Sequence, residues 1–389
     1  MLTQLINGKI LTPQGWLKDG SVLISNGKIL EVTNSDLAVI GAKVIDVKGM
    51  NIVPGFVGMH IHGGNGHDYT ESTTEAFEIA TAAHLKHGAT TVFPTLSSTT
   101  FDNIRKAVEV CENLMLKNKV IKGLHIEGPY LNSAMAGTQW ANVLKEPDTA
   151  EYVELIDTTS CIKRWDISPE IKGGHEFAEY ISSKGILAAI THTEAEFEEI
   201  KSAFSSGFTH AAHFYNAMPG FHKRREYKYE GTVESVYLMD DMSVEVIADG
   251  RHLPATILKL VYKVKGVEKT CLVTDALKYS AYDGKVDDCR YVIENDVCRL
   301  ADGTSLAGSL ATMDKLVQVM VGKAGIPVED AVRMASETPA KIMGILDSKG
   351  TLEKGKDADI VVLDDKMNVR CVFSYGKIVE GTDSLVNKM

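Results

Sequence analysis

Between residues 52 and 345, short apolar runs alternate with stretches in which apolar residues recur every three or four positions. The first pattern marks buried strands and the second amphipathic helices, which together give the rhythm of βα units around a parallel sheet. Strands are expected over 55–60, 89–94, 121–127, 163–168, 186–192, 208–214, 243–248 and 270–275, with helices over 74–87, 102–117, 177–184, 194–205 and 254–263. Eight such strands predict a (β/α)8 TIM-like barrel, whose active site lies at the C-terminal strand ends. A doubly wound sheet is the alternative, but no Gly-x-Gly-x-x-Gly follows the first strand.

The two ends of the chain read differently. Residues 1–51 carry short strands and tight turns, and Asn7-Gly8-Lys9-Ile10 and Asn26-Gly27-Lys28-Ile29 both show the Asn-Gly signal of a hairpin with two positive-φ residues. Near the other end, Ala358 to Leu363 reads as a strand and Tyr375-Gly376-Lys377-Ile378 resembles the earlier turns. Neither end has enough apolar surface to fold alone. Residues 1–51 and 346–389 are therefore expected to pair into one small β-sandwich domain, with the barrel, 52–345, inserted between them.

Polar residues gather at the expected strand ends. His60 and His62 end the first strand, Glu127 the third, His192 the fifth, His213 the sixth and Asp275 the eighth. Two histidines one residue apart on a strand share a face, a geometry that suits a metal. Converging on one barrel mouth, these residues form a candidate catalytic metal site. His67, His125 and His210 are expected as partners behind the ligands, and His84, His87 and His175 as surface residues.

Composition narrows the partners. A net charge of -11 over 389 residues argues against nucleic acid or an anionic membrane as the main partner. No run is long enough to span a bilayer, and the N-terminus lacks the form of a secretory signal. The six cysteines show no Cys-x-x-Cys pair and read as reduced packing residues of a cytoplasmic protein.

Several motifs carry a resemblance: Pro54-Gly55-Phe56-Val57 with His60-Ile61-His62-Gly63-Gly64, His125-Ile126-Glu127-Gly128-Pro129, His213-Phe214-Tyr215-Asn216-Ala217-Met218-Pro219, Ala248-Asp249-Gly250-Arg251-His252, Thr274-Asp275-Ala276 and Leu306-Ala307-Gly308-Ser309. Across essentially its whole length the chain resembles the amidohydrolase superfamily of metal-dependent hydrolases and, within it, the N-acetylglucosamine-6-phosphate deacetylase family. The Glu-Gly-Pro and Asn-Ala-Met-Pro motifs are the more specific part of the match.

That resemblance implies hydrolysis of the acetamide of N-acetyl-D-glucosamine 6-phosphate to D-glucosamine 6-phosphate and acetate in amino-sugar catabolism. It implies a divalent cation, zinc, iron or similar, bound by Glu127, His192 and His213, and Asp275 as general base and then general acid. His60 and His62 make a second ion plausible. Substrate contacts are implied for Thr138, Gln139, Asn216, Ala217, His252, Leu306, Ala307 and Gly308. Position 139 is Gln where some relatives have His. The family's phosphate-binding Arg precedes a Glu, which selects Arg225 over Arg224. Family members are homodimers whose neighbouring subunit contributes to the pocket. The alternatives are an N-acetylgalactosamine-6-phosphate deacetylase or other amidohydrolase, and a catalytically inactive scaffold of the same fold.

Overall fold

The computed structural model describes every residue except 1, 36 and 386–389, so the expected outer limits of the terminal domain, 1 and 389, lie outside it. Eight parallel strands form one sheet in barrel order: Phe56–Ile61, Ala89–Leu96, Leu124–Glu127, Ile162–Ile167, Leu187–Ile190, Phe208–Ala211, Ser243–Ile247 and Thr270–Val273. The sheet closes where the last strand meets the first. Asp275 donates its backbone N–H to the His60 carbonyl at 3.1 Å, and the N–H groups of His62 and Gly63 both reach the Ala276 carbonyl at 2.9 Å. All eight expected barrel strands are present.

The five expected helices are also present, and sequence periodicity missed others. Helices over Thr149–Thr158, Thr232–Leu238, Met313–Gly322, Val328–Ala335 and Glu337–Ile342 complete the ring. The main core lies between strands and helices, with Trp165, Phe177, Phe208, Leu316 and Val332 buried in it. Burying each such side chain contributes roughly 1.5–3 kcal/mol. No helix among the described residues is long and apolar enough to cross a membrane.

Both chain ends build a separate eight-stranded sheet. Its spine runs Ile360–Leu363 against Asn51–Pro54, then Leu2–Thr12, Gly15–Ser25 and Lys28–Thr33. The chain passes between domains at Gly55, because Asn51–Pro54 pairs in this terminal sheet and Phe56 begins the barrel. Asn26-Gly27 makes the expected two-residue hairpin, with φ of 50° and 76°.

Asn7-Gly8 does not make a hairpin, contrary to expectation. It sits inside Leu2–Thr12 as a bulge, where the strand changes neighbours from Lys43–Asp46 to Asn51–Pro54. Glycine is required by the close approach, since a Cβ at Gly8 would lie 2.4 Å from Ile52 Cδ1. An Asn-Gly pair supplies positive φ equally to a turn or a bulge, and the neighbouring strands decide which forms. The cysteines are all free; five are buried packing residues as expected, whereas Cys289 is exposed.

Candidate metal centre

Glu127 is the last residue of the third strand, but three other candidate ligands lie just past theirs. The paired segments end at Ile190, Ala211 and Val273, two residues before His192, His213 and Asp275. Those three residues take φ of 46°, 26° and 47°. Non-glycine residues rarely adopt this region, at a cost of about 1–3 kcal/mol each, and such strain clusters at functional sites. The turn swings each side chain inward over the barrel mouth.

The side chains meet closely. Glu127 Oε1 lies 2.9 Å from His213 Nε2 and 3.3 Å from His192 Nε2, while Oε2 lies 3.3 Å from His62 Nε2. Asp275 Oδ1 is 3.1 Å from His62 Nε2 and 3.5 Å from His60 Nε2. Glu127, His192 and His213 form one set of mutually close donor atoms, and His60, His62 and Asp275 a second.

Which ring nitrogens carry protons follows from the outer partners. His192 Nδ1 donates to the Met135 carbonyl at 2.7 Å, and His213 Nδ1 to the Asn216 carbonyl at 3.1 Å. His60 Nδ1 donates to Glu245 Oε1 at 2.5 Å. With Nδ1 protonated, a neutral imidazole presents only a lone pair at Nε2. In that neutral form the three lone pairs would face carboxylate oxygens or one another, acceptor against acceptor, so the cluster calls for positive charge, a proton or a cation, between them.

The balance of buried charge also calls for a cation. Within the donor cluster and directly beneath it stand four carboxylates, Glu127, Asp166, Glu245 and Asp275, and one guanidinium, Arg164. Buried negative charge requires a partner. Burial opposes charge on His62 and His213. Yet bonds to Asp275 and Glu127 hold His62 well above its ordinary value, and Glu127 pushes His213 up to about 9. Burial likewise works against the Glu127 carboxylate, and the bonds from His192, His213 and His62 outweigh it and hold its pKa well below the usual range. The pocket thus selects positive charge, and its mixture of imidazole and carboxylate donors fits a divalent transition metal.

The mouth opens into a cavity of about 530 Å3 lined by His62, Glu127, Thr138, Gln139, His192, His213, Asn216, Ala217, His252, Asp275, Leu306 and Gly308. Of the remaining expected site residues, His60 is fully buried beneath the cavity and Ala307 is buried behind its wall. Gln139 bridges the loop to the cluster: its Oε1 accepts from the Ser98 N–H at 2.8 Å and its Nε2 donates to Glu127 Oε2 at 2.6 Å. His252 is oriented by Asp249, whose Oδ2 accepts from Nδ1 at 2.7 Å.

Arg225 does not line the cavity. With Glu226 it forms the exposed turn of a hairpin between His222–Arg224 and Tyr227–Tyr229. Arg224 pairs with Glu196 and lies over the Tyr229 ring, leaving Arg225 without an ion pair among the described residues.

Several wall residues escaped the sequence reading. Trp140, Lys278, Tyr279, Asp288 and Arg290 line the cavity, and the Arg290 guanidinium stands 4.0 Å over the Trp140 ring. They belong to segments without apolar periodicity, so no pattern drew attention to them. His125 and His210 lie behind the candidate ligands as expected, whereas His67 pairs with Glu71 away from the cluster. His84, expected at the surface, is fully buried and donates from Nε2 to the Gly63 carbonyl at 2.8 Å, holding the turn after His62.

Comparison with known proteins agrees with this geometry. Residues 51–379 match the amidohydrolase family. The N-acetylglucosamine-6-phosphate deacetylase of Haemophilus influenzae is 31% identical over 388 residues, covering 97% of this chain and 98% of its own. The crystal structure of N-acetylglucosamine-6-phosphate deacetylase from Pasteurella multocida superposes with a TM-score of 0.92 at 26% identity, covering 97% of this chain and 99% of that one. A mutant of the Mycobacterium smegmatis deacetylase with one aspartate changed to alanine, in complex with N-acetyl-D-glucosamine-6-phosphate, superposes with a TM-score of 0.89 at 26% identity, covering 97% and 99%. Barrel, donor cluster and full-length match converge, and the chain belongs to the amidohydrolase family.

Proposed function

We propose that this protein hydrolyses the acetamide of N-acetyl-D-glucosamine 6-phosphate, releasing acetate and D-glucosamine 6-phosphate. The observation that carries the reading is Asp275, at the cavity wall and beside a cluster of donors facing one another across Glu127. Glu127, His192 and His213 would hold a divalent cation, and His60 and His62 with Asp275 a second. Such a cation, when bound, lowers the pKa of a water molecule and polarises the amide carbonyl.

The chain's own residues supply the proton traffic. Asp275 is kept ionised: burial disfavours its charge, but the His62 hydrogen bond and the His60 imidazole hold its pKa below the usual carboxylate value. An ionised carboxylate accepts the proton of the attacking water as the new C–O bond forms. It returns that proton to the amide nitrogen as the C–N bond breaks, so one group serves as base and then acid. Gln139 keeps Glu127 in place by its hydrogen bond. Thr138, Asn216, the Ala217 amide, His252 and the Leu306-Ala307-Gly308 wall would orient the sugar. Ala217 takes φ of 51°, which turns the backbone at this point of the cavity.

The phosphate needs a cation of matching shape, and a guanidinium fork suits it. Arg225 stands exposed on a projecting hairpin with the apolar Phe221 and Tyr227 beside it. We assign it to the cavity of a partner in a cytoplasmic homodimer. The domain division that serves this reading carries the barrel between the two terminal segments, with its start moved from residue 52 to Gly55 because Asn51–Pro54 pairs in the terminal sheet.

The test is acetate release from both epimeric N-acetylhexosamine 6-phosphates before and after metal removal by chelation. Faster turnover of the gluco epimer, lost on chelation and restored by a divalent cation, is the expected result. Preference for the galacto epimer would reassign the substrate. Release of no acetate from either by the metal-loaded protein would reject the deacetylase reading.

A further inference from the structure

Beneath the donor cluster, the barrel interior is ionic where such barrels are usually filled by branched apolar side chains. Side chains from six strands meet there: His60, Thr95, His125, Arg164 with Asp166, His210 and Glu245, all fully buried. Arg164 joins the two carboxylates. It donates to both oxygens of Asp166 at 2.6 Å and to both oxygens of Glu245 at 2.6 and 3.0 Å.

Glu245 Oε1 has further partners. Besides Arg164, it accepts the Nδ1–H of His60 at 2.5 Å and the backbone N–H of His213 at 3.0 Å. The other oxygen, Oε2, lies 3.4 Å from His210 Nε2. A single carboxylate oxygen thus touches one residue from each donor set: the side chain of His60 and the backbone of His213.

We infer that Glu245, clamped by Arg164, is a positioning residue that aligns both halves of the metal centre at once. This rests on the metal reading proposed above. By accepting the hydrogen bond of the Nδ1–H, Glu245 fixes His60 as the tautomer whose bare Nε2 faces His62 and Asp275. By holding the N–H of His213, it stabilises the strained turn, φ 26°, that aims the His213 ring at Glu127. Arg164, donating to both oxygens of Glu245, stops the carboxylate rotating. Partners that orient metal-ligating histidines typically contribute 10–100-fold to metal affinity.

The decisive measurement is cobalt(II) titration of the metal-free protein, followed by its visible absorption, with Glu245→Gln compared with wild type. Glu245→Gln is expected to weaken cobalt binding by about 10–100-fold and to alter the visible bands. Ile360→Ala, in the terminal sheet, should lower the melting temperature without changing either readout. Should Glu245→Gln fail to fold, 15N-histidine NMR of the wild-type protein with zinc provides the second test. His60 should carry its proton on Nδ1, with that proton shifted well downfield by the short bond.

Unchanged cobalt affinity and spectrum in folded Glu245→Gln would overturn the inference, as would His60 protonated on Nε2 in the zinc-loaded wild type. If wild type itself took up neither metal, the metal reading would fall, and the positioning role with it.

Discussion

Two regions of this molecule are both dry and both hold together distant parts of the chain, yet they are made of opposite materials. The terminal sheet packs Leu5, Ile10, Val22, Ile52, Ile360, Val362 and Phe373 into an apolar core, joining the first strand to the last quarter of the sequence. The barrel interior joins His60 to Glu245, and Asp166 to His125, through charged and polar groups. Apolar packing stabilises by area removed from water and is tolerant of direction. Buried ion pairs gain little net stability, because desolvation offsets their attraction, but they hold atoms at set distances and angles. The sheet supplies stability; the interior supplies alignment.

The separation of roles makes its strongest claim at the mouth. Asp275→Asn keeps the size of the side chain and removes the carboxylate charge. Fold and thermal stability should persist, while acetate release from N-acetyl-D-glucosamine 6-phosphate falls by about 10²–10⁴-fold. Turnover within a few-fold of wild type would remove Asp275 from the reaction.

A direct comparison of the regions uses one substitution in each. Arg164→Met removes the one guanidinium that pairs with both buried carboxylates, Asp166 and Glu245, which is expected to cost about 3–5 kcal/mol. Phe373→Ala opens a cavity in the sheet at a similar cost of about 3–5 kcal/mol. Denaturant unfolding should find the two alike, whereas metal content after dialysis should fall for Arg164→Met alone. Equal loss of metal in both would show that the regions are coupled and the contrast is false.

Acid sharpens the comparison. Burial pushes His84 down to about 4 against an ordinary 6.5, and the hydrogen bond to Gly63 only partly opposes that. An unfolded chain protonates this imidazole below 6.5, while the folded one stays neutral until about 4. Its contribution is therefore complete above pH 6.5 and is lost as pH falls toward 4, by up to about 3 kcal/mol. Wild type should lose more stability than His84→Gln between pH 7 and 4.5 in urea unfolding. Parallel losses would exclude His84 as the cause. The apolar sheet core contains no titrating imidazole, so sheet variants such as Phe373→Ala should leave this difference intact.

Legibility in the sequence followed the same divide. His60, His62, Glu127, His192, His213 and Asp275 stand out because each ends an apolar run, where polarity has no structural reason to appear. Arg164, Asp166 and Glu245 lie inside strands, and a charged residue at alternate positions there reads as facing solvent. Only the closed barrel turns those positions toward one another. The hairpin of Tyr291–Glu294 and Val297–Leu300, near the cavity mouth, turns on Asn295-Asp296, with φ of 53° and 60°. That dipeptide is a weaker signal than Asn-Gly, and its short flanking runs are too polar to read as strands. Pocket walls made of such segments depend on tertiary placement.

The smallest expected effect concerns a residue in neither region. Arg225 is exposed and lies outside its own chain's cavity, so its substitution should alter neither stability nor metal content. If its guanidinium meets the substrate phosphate across a dimer, Arg225→Ala removes a charge-assisted hydrogen bond of about 1.5–3 kcal/mol, roughly a 10–100-fold rise in KM. The rise should appear for the phosphorylated sugar and be absent for N-acetylglucosamine. Arg224→Ala, which breaks the pair with Glu196 instead, should have the weaker effect. Mixing Arg225→Ala with Asp275→Asn subunits then tests the sharing directly. Each variant alone is defective, but a mixed dimer contains one cavity with an intact Asp275 and an intact Arg225 from its neighbour, so activity should recover in part. No recovery from mixed dimers of demonstrated composition would return Arg225 to its own chain, and the hairpin would have to bend toward the cavity it now leaves.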